Sequence, residues 1–515
     1  MTRGKTTTNT TPPAEGFAER RLGGILYQRK GIKILGIQLP PWRSPLAQVI
    51  LIGFVCFLCP GMFNALSGLG AGGQVDSAVQ ANASVALYTT FALVGFVAGT
   101  ILNYFGAQAT LAFGGLGYAL YSASFLCYNH TKNEGFVLFA GAFLGVCAGL
   151  LWCAQGTVMM SYPTESEKGR FIGLFWAIFN MGGVIGSCIP IATNWNSEDD
   201  GSVTDGTYVG FLVLMLCGAV LAFFLVPPEK IIRKDGTRVQ RVRHPSMKKE
   251  IYGLWETIKT DTYVLLLFPF FWASNWFYTY QQNCYQLFYF NLRGRTFTNL
   301  WYWLSQILGA LAFGFFLDSQ QIGRRKRAIY GWVILFVAVC VIWGGGLKPL
   351  IASSRDKYPD DTPSIDVFGR PLLEAWTQHW KGPINDPIDK DFTWYLILYM
   401  AYGFQDAMWQ TYAYWMMGAL SNEPRKLAYF AGFYKGIQSA GAAVVWRLDG
   451  VKYSYATLFG SSWGLCGAGM LLAIPVIWRR IKDTELTEED FMTPAEKDIV
   501  MSGMKPVGSE HNDGV

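Results

Sequence analysis

Two ionisable residues, Asp406 and Lys435, stand inside long apolar stretches of this chain. An ionised group at the depth of a lipid bilayer costs about 2.5 to 3.5 kcal/mol on insertion scales, so each needs a partner or a wet cavity. Asp406 falls near the middle of one stretch and Lys435 in the next, within about five helical turns of the same end. Two readings follow for the pair: a proton or cation switch facing a central cavity, or a salt bridge that locks two helices together. Uncharged amides accompany the charges at Asn64, Gln155, Asn275, Gln282 and Gln410. Asn275 and Gln282 are seven positions apart with Tyr278 and Thr279 between them, which makes one helix face polar and aromatic; Asp406, Trp409 and Gln410 share another. Such amides suit a solute, but they also act as interhelical glue worth about 0.6 to 2 kcal/mol. Trp152, Trp272, Trp276 and Trp409 suit an aromatic pocket for an organic or cationic ligand, or simple packing near a membrane interface.

Catalysis finds little support. The four histidines (His130, His244, His379, His511) lie in loops or tails, and the ten cysteines fall in apolar runs, where they behave as small hydrophobes. Cys56 and Cys59 have redox-like spacing without the strand and helix that such a motif needs. The glycine-rich run from Gly68 to Gly73 likewise lacks the setting of a phosphate loop; it is expected to turn the chain tightly or to bring helices close. With no Ser/His/Asp set, no metal cluster and no nucleotide loop, the expectation is a protein that is not an enzyme and carries neither metal nor cofactor.

The elements that position these residues are apolar stretches of about 20 residues, the length a helix needs to cross roughly 30 Å of hydrocarbon. Of 515 residues 51% are hydrophobic and only 15% charged, and the mean hydropathy is +0.23. A net charge of +6 reflects topology rather than nucleic-acid binding. Twelve spans are expected near residues 46–66, 84–104, 107–128, 135–160, 170–192, 207–226, 262–289, 299–317, 327–347, 393–418, 428–448 and 455–478. Basic residues concentrate in alternate loops, including Lys168 and Arg170, the central segment from Lys230 to Lys249, the run Arg324 to Arg327, and Arg479 and Arg480. By the positive-inside rule these loops and both termini are cytosolic, with the host membrane left open. The sequons at Asn82 and Asn129 then fall on outside loops as glycosylation candidates.

The expected organisation is a disordered tail over 1–44, a six-helix bundle over 45–226, a basic linker over 227–260, a second bundle over 261–480 with a polar outside loop at 348–392, and an acidic tail over 481–515. Weak repetition relates the halves. Gly99 and Asn103 are spaced like Gly314 and Asp318, and "GLFWAIFNMGG" from Gly173 resembles "GFYKGIQSAGA" from Gly432. Six plus six helices related by an axis along the membrane normal is the architecture of the major facilitator superfamily. The run Gly314 to Asp318 followed by Gly323, Arg324 and Arg325 resembles that superfamily's gating loop, whose charges latch the halves together. The first-half copy has lost its acid, with Asn103 in its place.

A closer resemblance rests on "PGMFNALSGLGAGG" from Pro60, "GRFIGLFWAIFNMGGVIGS" from Gly169, "GFQDAMWQTYAYWMMGALSN" from Gly403 and "YFAGFYKGIQSAGAAVVWRLD" from Tyr429. Together these resemble the uncoordinated-ninety-three (UNC-93) family of major facilitator proteins over nearly all of residues 45–480. The resemblance implies an all-α polytopic fold of twelve helices in which the first, fourth, seventh and tenth line a cavity. It implies either of two activities: alternating-access movement of a small solute or ion, or an accessory or chaperone role toward another membrane protein, such as regulation of an ion channel. Expected partners are the lipid bilayer and a small solute, ion or membrane protein, and not nucleic acid.

Overall fold

The computed structural model describes residues 40–74, 76–95, 97–162, 168–194, 203–233, 262–317, 321–352, 392–420 and 424–481, with isolated positions elsewhere. Twelve helical spans run up and down among them: α1 (Pro45–Ser67), α2 (Ser77–Gly95), α3 (Ala98–Thr131), α4 (Glu134–Ser161), α5 (Lys168–Asn194), α6 (Asp205–Leu221), α7 (a broken run over 262–289), α8 (Leu292–Leu317), α9 (Arg324–Gly345), α10 (Phe392–Leu420), α11 (Pro424–Gly450) and α12 (Tyr455–Arg480). Eight of these are long and apolar enough to cross a membrane. The other four, α2, α7, α10 and α11, lack a continuous helical stretch that is both long and apolar enough, and they include the helices that carry Asp406 and Lys435. The first turns of α3 extend the second span until Gly106, whose positive φ of 74° lets the chain reverse.

Residues 40–44, at the end of the tail expected to be disordered over 1–44, make defined contacts. Ser44 caps α1 by accepting from the Ala47 N–H, Trp42 O accepts from Gln48 Nε2 at 2.7 Å, and Arg43 O accepts from the Ile232 N–H. Lys33–Ile34 and Ile37–Gln38 form a two-residue antiparallel pair, a small exception to an otherwise helical fold. Asp318, most of the central linker, the loop over 353–391 and the acidic tail lie outside the described residues.

Most buried apolar side chains gather into two cores, one running from Val49 to Val239 with Leu292 and the other from Leu267 to Ile481, and Ala81, Ala442 and Trp446 form a small third cluster between α2 and α11. Inside the first, Gly141, Gly145 and Gly149 recur every fourth residue of α4 and bring it against α2. A Cβ on Gly145 would stand 1.9 Å from Thr90 Oγ1 and 2.1 Å from Leu87 O, while the Thr90 hydroxyl donates across the contact to Ala142 O at 2.8 Å. Close approach through small residues is the means of helix association in lipid, where apolar burial gives no drive.

The two lobes meet along α5 with α8 and along α2 with α11. At the end of the bundle opposite the chain termini this contact is tight. A Cβ on Gly183 of α5 would stand 2.8 Å from the Trp303 ring of α8, and one on Gly68 would stand 2.2 Å from Asn299 Oδ1. At the end where α1 begins and α12 finishes, Gly173 of α5 and Gly314 of α8 have nothing within 4 Å of the same position. The lobes therefore diverge from the far end toward the terminal end.

The glycine ridge is testable. Gly145→Val should destabilise the purified protein by about 1–3 kcal/mol or more through overpacking against α2. Gly156→Ala, placed where nothing lies within 4 Å, should leave the detergent melting temperature unchanged or slightly raised.

Candidate functional site

Between the diverging lobes lies a cavity of about 440 Å³, within the size range of small-molecule sites. Its lining comes from more helices than α1, α4, α7 and α10, because α2, α5, α8 and α11 contribute as well. Asn64, Asn275, Gln282, Gln410 and Lys435, named above as candidates, all line it. Gln155, Trp276 and Trp409 do not. Gln155 is buried outside the lining, Trp276 donates to Ser461 Oγ at 3.0 Å, and fully buried Trp409 stacks on Phe270 at 4.1 Å between ring centroids. Of the four tryptophans named above, only Trp152 reaches the cavity.

Irregular backbone shapes the two helices that begin each lobe. In α1 the segment Phe57–Gly61 is a π-turn around Pro60, which has no N–H to give to an α-helical bond. In α7 the chain breaks at Ser274 and Asn275 and then widens into a π-helix over Tyr280–Gln286. The break leaves Ser274 O free to accept from Gln410 Nε2 at 2.8 Å, and the π-helix turns Gln282 to the cavity while Asn283 faces the other lobe.

Asp406 sits one layer behind the cavity wall, fully buried. It accepts from Tyr278 Oη at 2.5 Å and Gln306 Nε2 at 2.6 Å on one oxygen, and from Gln410 Nε2 at 3.3 Å on the other. Every hydrogen bond described for this side chain is one it accepts, as suits a carboxylate. Lys435 does not touch it: the expected contact pair is replaced by a chain of amides. Lys435 Nζ donates to Gln438 Oε1 at 2.9 Å, Gln438 Nε2 donates to Gln410 Oε1 at 3.2 Å, and Gln410 Nε2 reaches Asp406. Both amides point their NH₂ toward the carboxylate and their oxygen toward the ammonium, so their dipoles run head to tail between the charges. Tyr434 Oη also donates to Gln410 Oε1, fixing that amide. The amide orientations follow from this network.

Lys435 lies within 6 Å of three ring centroids: Tyr434 at 5.3 Å, Trp152 at 5.5 Å and Tyr414 at 5.7 Å. Trp152 stacks on Trp176 at 6.3 Å, and Trp176 meets Tyr414 of the other lobe at 5.8 Å. The residues that sequence reasoning missed are the partners: Gln306, Gln438, Asn180 and Tyr414. Gln438 lies three residues beyond Lys435, the one signal that points to it.

Far from the cavity's open end, polar groups close the lobes together. Asn283 Oδ1 accepts from the Ala71 N–H at 3.0 Å, and Asn299 Nδ2 donates to Ala65 O at 2.8 Å and to Ser187 Oγ at 3.1 Å. The glycine run forms the turn that meets them, with positive φ at Gly70, Gly72 and Gly73. Arg447 adds a bond to Asn82 Oδ1 at 3.2 Å.

The gating-loop candidates tie their own lobe. Gly323 precedes α9, Arg324 donates to Gly418 O at 2.8 Å, Arg327 donates to Leu317 O, and Arg325 lies over the Trp478 ring at 5.2 Å. Asp318 and the side chain of Asn103 are outside the described residues. The two sequons fall in helices, not in loops: Asn82 in α2 and Asn129 in α3, where Asn129 Nδ2 donates to Asp205 Oδ1 at 3.0 Å. Among the described residues no three His, Cys, Asp or Glu side chains come together as a metal site.

Comparison with known proteins bears on the fold and the family. A crystal structure of a D-xylose-proton symporter covers 85% of this chain and 98% of its own, with a TM-score of 0.54 at 12% identity, which places the major facilitator fold. A family model described as "Ion channel regulatory protein UNC-93" matches residues 77–344. UNC93-like protein C922.05c of Schizosaccharomyces pombe is 47% identical over 90% of this chain and 88% of its own length. UNC93-like protein 1 of Arabidopsis thaliana is 41% identical over 86% and 92%. A membrane protein of transporter-like architecture, the chain belongs to the UNC-93 family.

Proposed function

We propose that this protein moves a small solute or ion by alternating access, with both termini and the open end of the cavity cytosolic. The observation that carries the reading is the cavity itself, sealed at one end, open at the other and lined by amides. The side chains of Asn64, Asn180, Asn275 and Gln282 face it with no protein hydrogen bond among the described residues, as a polar ligand site requires. Basic residues at Arg324, Arg325, Arg479 and Arg480 stand at the open end, which the positive-inside rule assigns to the cytosol. That orientation puts the Asn82 and Asn129 sequons outside.

Asp406 is the coupling group in this reading. It is carried by one of the helices that bound the cavity, and its three donors come from α7, α8 and α10. A change in its protonation or in the amide chain alters the packing of all three helices at once. The second reading is an accessory subunit of another membrane protein, in keeping with the family model's description as an ion channel regulator. The loss of the acid at Asn103 in the first-half motif favours it.

Flux through liposomes containing the purified protein decides between them. A Cβ on Gly450 of α11 would stand 3.5 Å from Ala81 Cβ of α2, a spacing that suits a disulfide between the lobes at the sealed end. In the double variant Ala81→Cys with Gly450→Cys, oxidation should stop flux and a reductant should restore it. Cross-linked protein that still transports at the full rate refutes the rocking mechanism. Asp406→Asn places an amide donor against groups that are all donating, at a cost of about 1–3 kcal/mol. It should lower flux at least about tenfold, equivalent to roughly 1.4 kcal/mol in the rate-limiting step. Unchanged flux and unchanged pH dependence in that variant would remove Asp406 from the mechanism. If wild-type liposomes show no flux and a membrane protein co-purifies in stoichiometric amount, the accessory reading stands instead.

A further inference from the structure

Resting on the reading of the cavity as a solute site, we propose that its ligand is an organic monoanion with a flat apolar body, bound by Lys435 against the Trp152 and Trp176 wall.

Among the described lining residues Lys435 is the sole charged side chain. Asp406, which would have neutralised it by contact, is held behind the wall and separated from it by two amides. An ammonium has three N–H donors, and one is taken by Gln438 Oε1. The other two have no oxygen acceptor among the described residues; what surrounds them is the faces of Trp152, Tyr414 and Tyr434. These aromatic faces weaken the need for a counter-ion but do not supply a hydrogen-bond acceptor. A carboxylate or similar anion entering from the open end would complete the lysine's bonding with a charge-assisted pair.

The same arrangement argues against a cation. The faces of an aromatic box are what bind an organic ammonium, and here the protein's own ammonium already occupies them. A second positive charge would meet Lys435 at close range in a low-dielectric site. The wall beside the lysine fixes the rest of the ligand. Trp152, Trp176 and Phe179 form a contiguous aromatic surface, with Trp152 edge-on to Phe179 at 5.5 Å. Unpartnered amides at Asn180 and Asn64 offer further donors within the same cavity.

An anion at Lys435 also has a route to the buried carboxylate. Drawing the ammonium away from Gln438 unsettles the head-to-tail chain that ends on Asp406, so occupancy at one charge alters the setting of the other.

The test is titration calorimetry on the full-length protein in lipid nanodiscs with three isosteric probes: benzoate, benzamide and benzylamine. Benzoate should bind more tightly than benzamide by about tenfold or more, roughly 1.4 kcal/mol, and benzylamine should not bind measurably. Lys435→Gln should abolish the preference for benzoate, bringing its affinity to that of benzamide, and Lys435→Arg should retain it. Trp152→Ala should weaken benzoate and benzamide alike. Variant melting temperatures report folding, and the wild-type probe series stands even where a variant fails to fold. Preferential binding of benzylamine, equal affinity for benzoate and benzamide, or no binding of any probe would overturn the proposal. Since binding is read without flux, a protein that binds benzoate but transports nothing keeps the anion site and loses the transporter reading. A protein that moves a cation loses the anion site and keeps transport.

Discussion

A charge carried to the depth of a bilayer must be answered from within the protein, and here one carboxylate and one ammonium are answered by amides instead of by each other. Two glutamines, one from α10 and one from α11, stand between Asp406 and Lys435 with their dipoles aligned. The rest of the central architecture follows from that requirement. Tyr278 and Gln306 must come from α7 and α8 to saturate the carboxylate, which draws three helices of one lobe around a single atom group. Leaving the ammonium short of an acceptor places a net positive charge on the cavity surface. A direct ion pair would have been more self-sufficient and would have left the cavity electrically blank.

The seal between the lobes obeys a different chemistry. Its described bonds divide between neutral amides and hydroxyls, as at Asn283, Asn299 and Ser187, and the basic side chains of Arg295, Arg447 and Lys452, which donate to neutral oxygens. Hydrogen bonds of this kind contribute about 0.5–1.5 kcal/mol each, so none of them alone holds the lobes together. The charged groups at the opposite end, Arg324 and Arg327, instead bind main-chain carbonyls within their own lobe.

Most of the fold was legible in the sequence because hydrocarbon thickness imposes a length on every span. The misjudged starts have a common cause. The second span begins at Ser77 rather than near residue 84, since Gln80 and Asn82 are turned toward other helices instead of lipid. The eighth begins at Leu292 rather than near 299, because Arg295 is buried and reaches toward Leu69 O. Hydropathy registers such residues as loop. At the site, the charged pair could be read from depth alone, but its mode of connection could not. Gln438 and Gln306 look like any other amides, and whether Trp409 or Gln410 faces the cavity depends on one helical step of about 100°.

The spacing of Gly141, Gly145 and Gly149 has a mechanical meaning. With backbone set against backbone, α2 and α4 have almost no slack between them and must travel as one beam. Because α2 is also the face that meets α11, any slippage along that seam is handed directly to α4 and so to Trp152, which touches the lysine's surroundings. A motif that looks like mere packing economy thereby joins the lobe boundary to the aromatic wall through one rigid pair of helices.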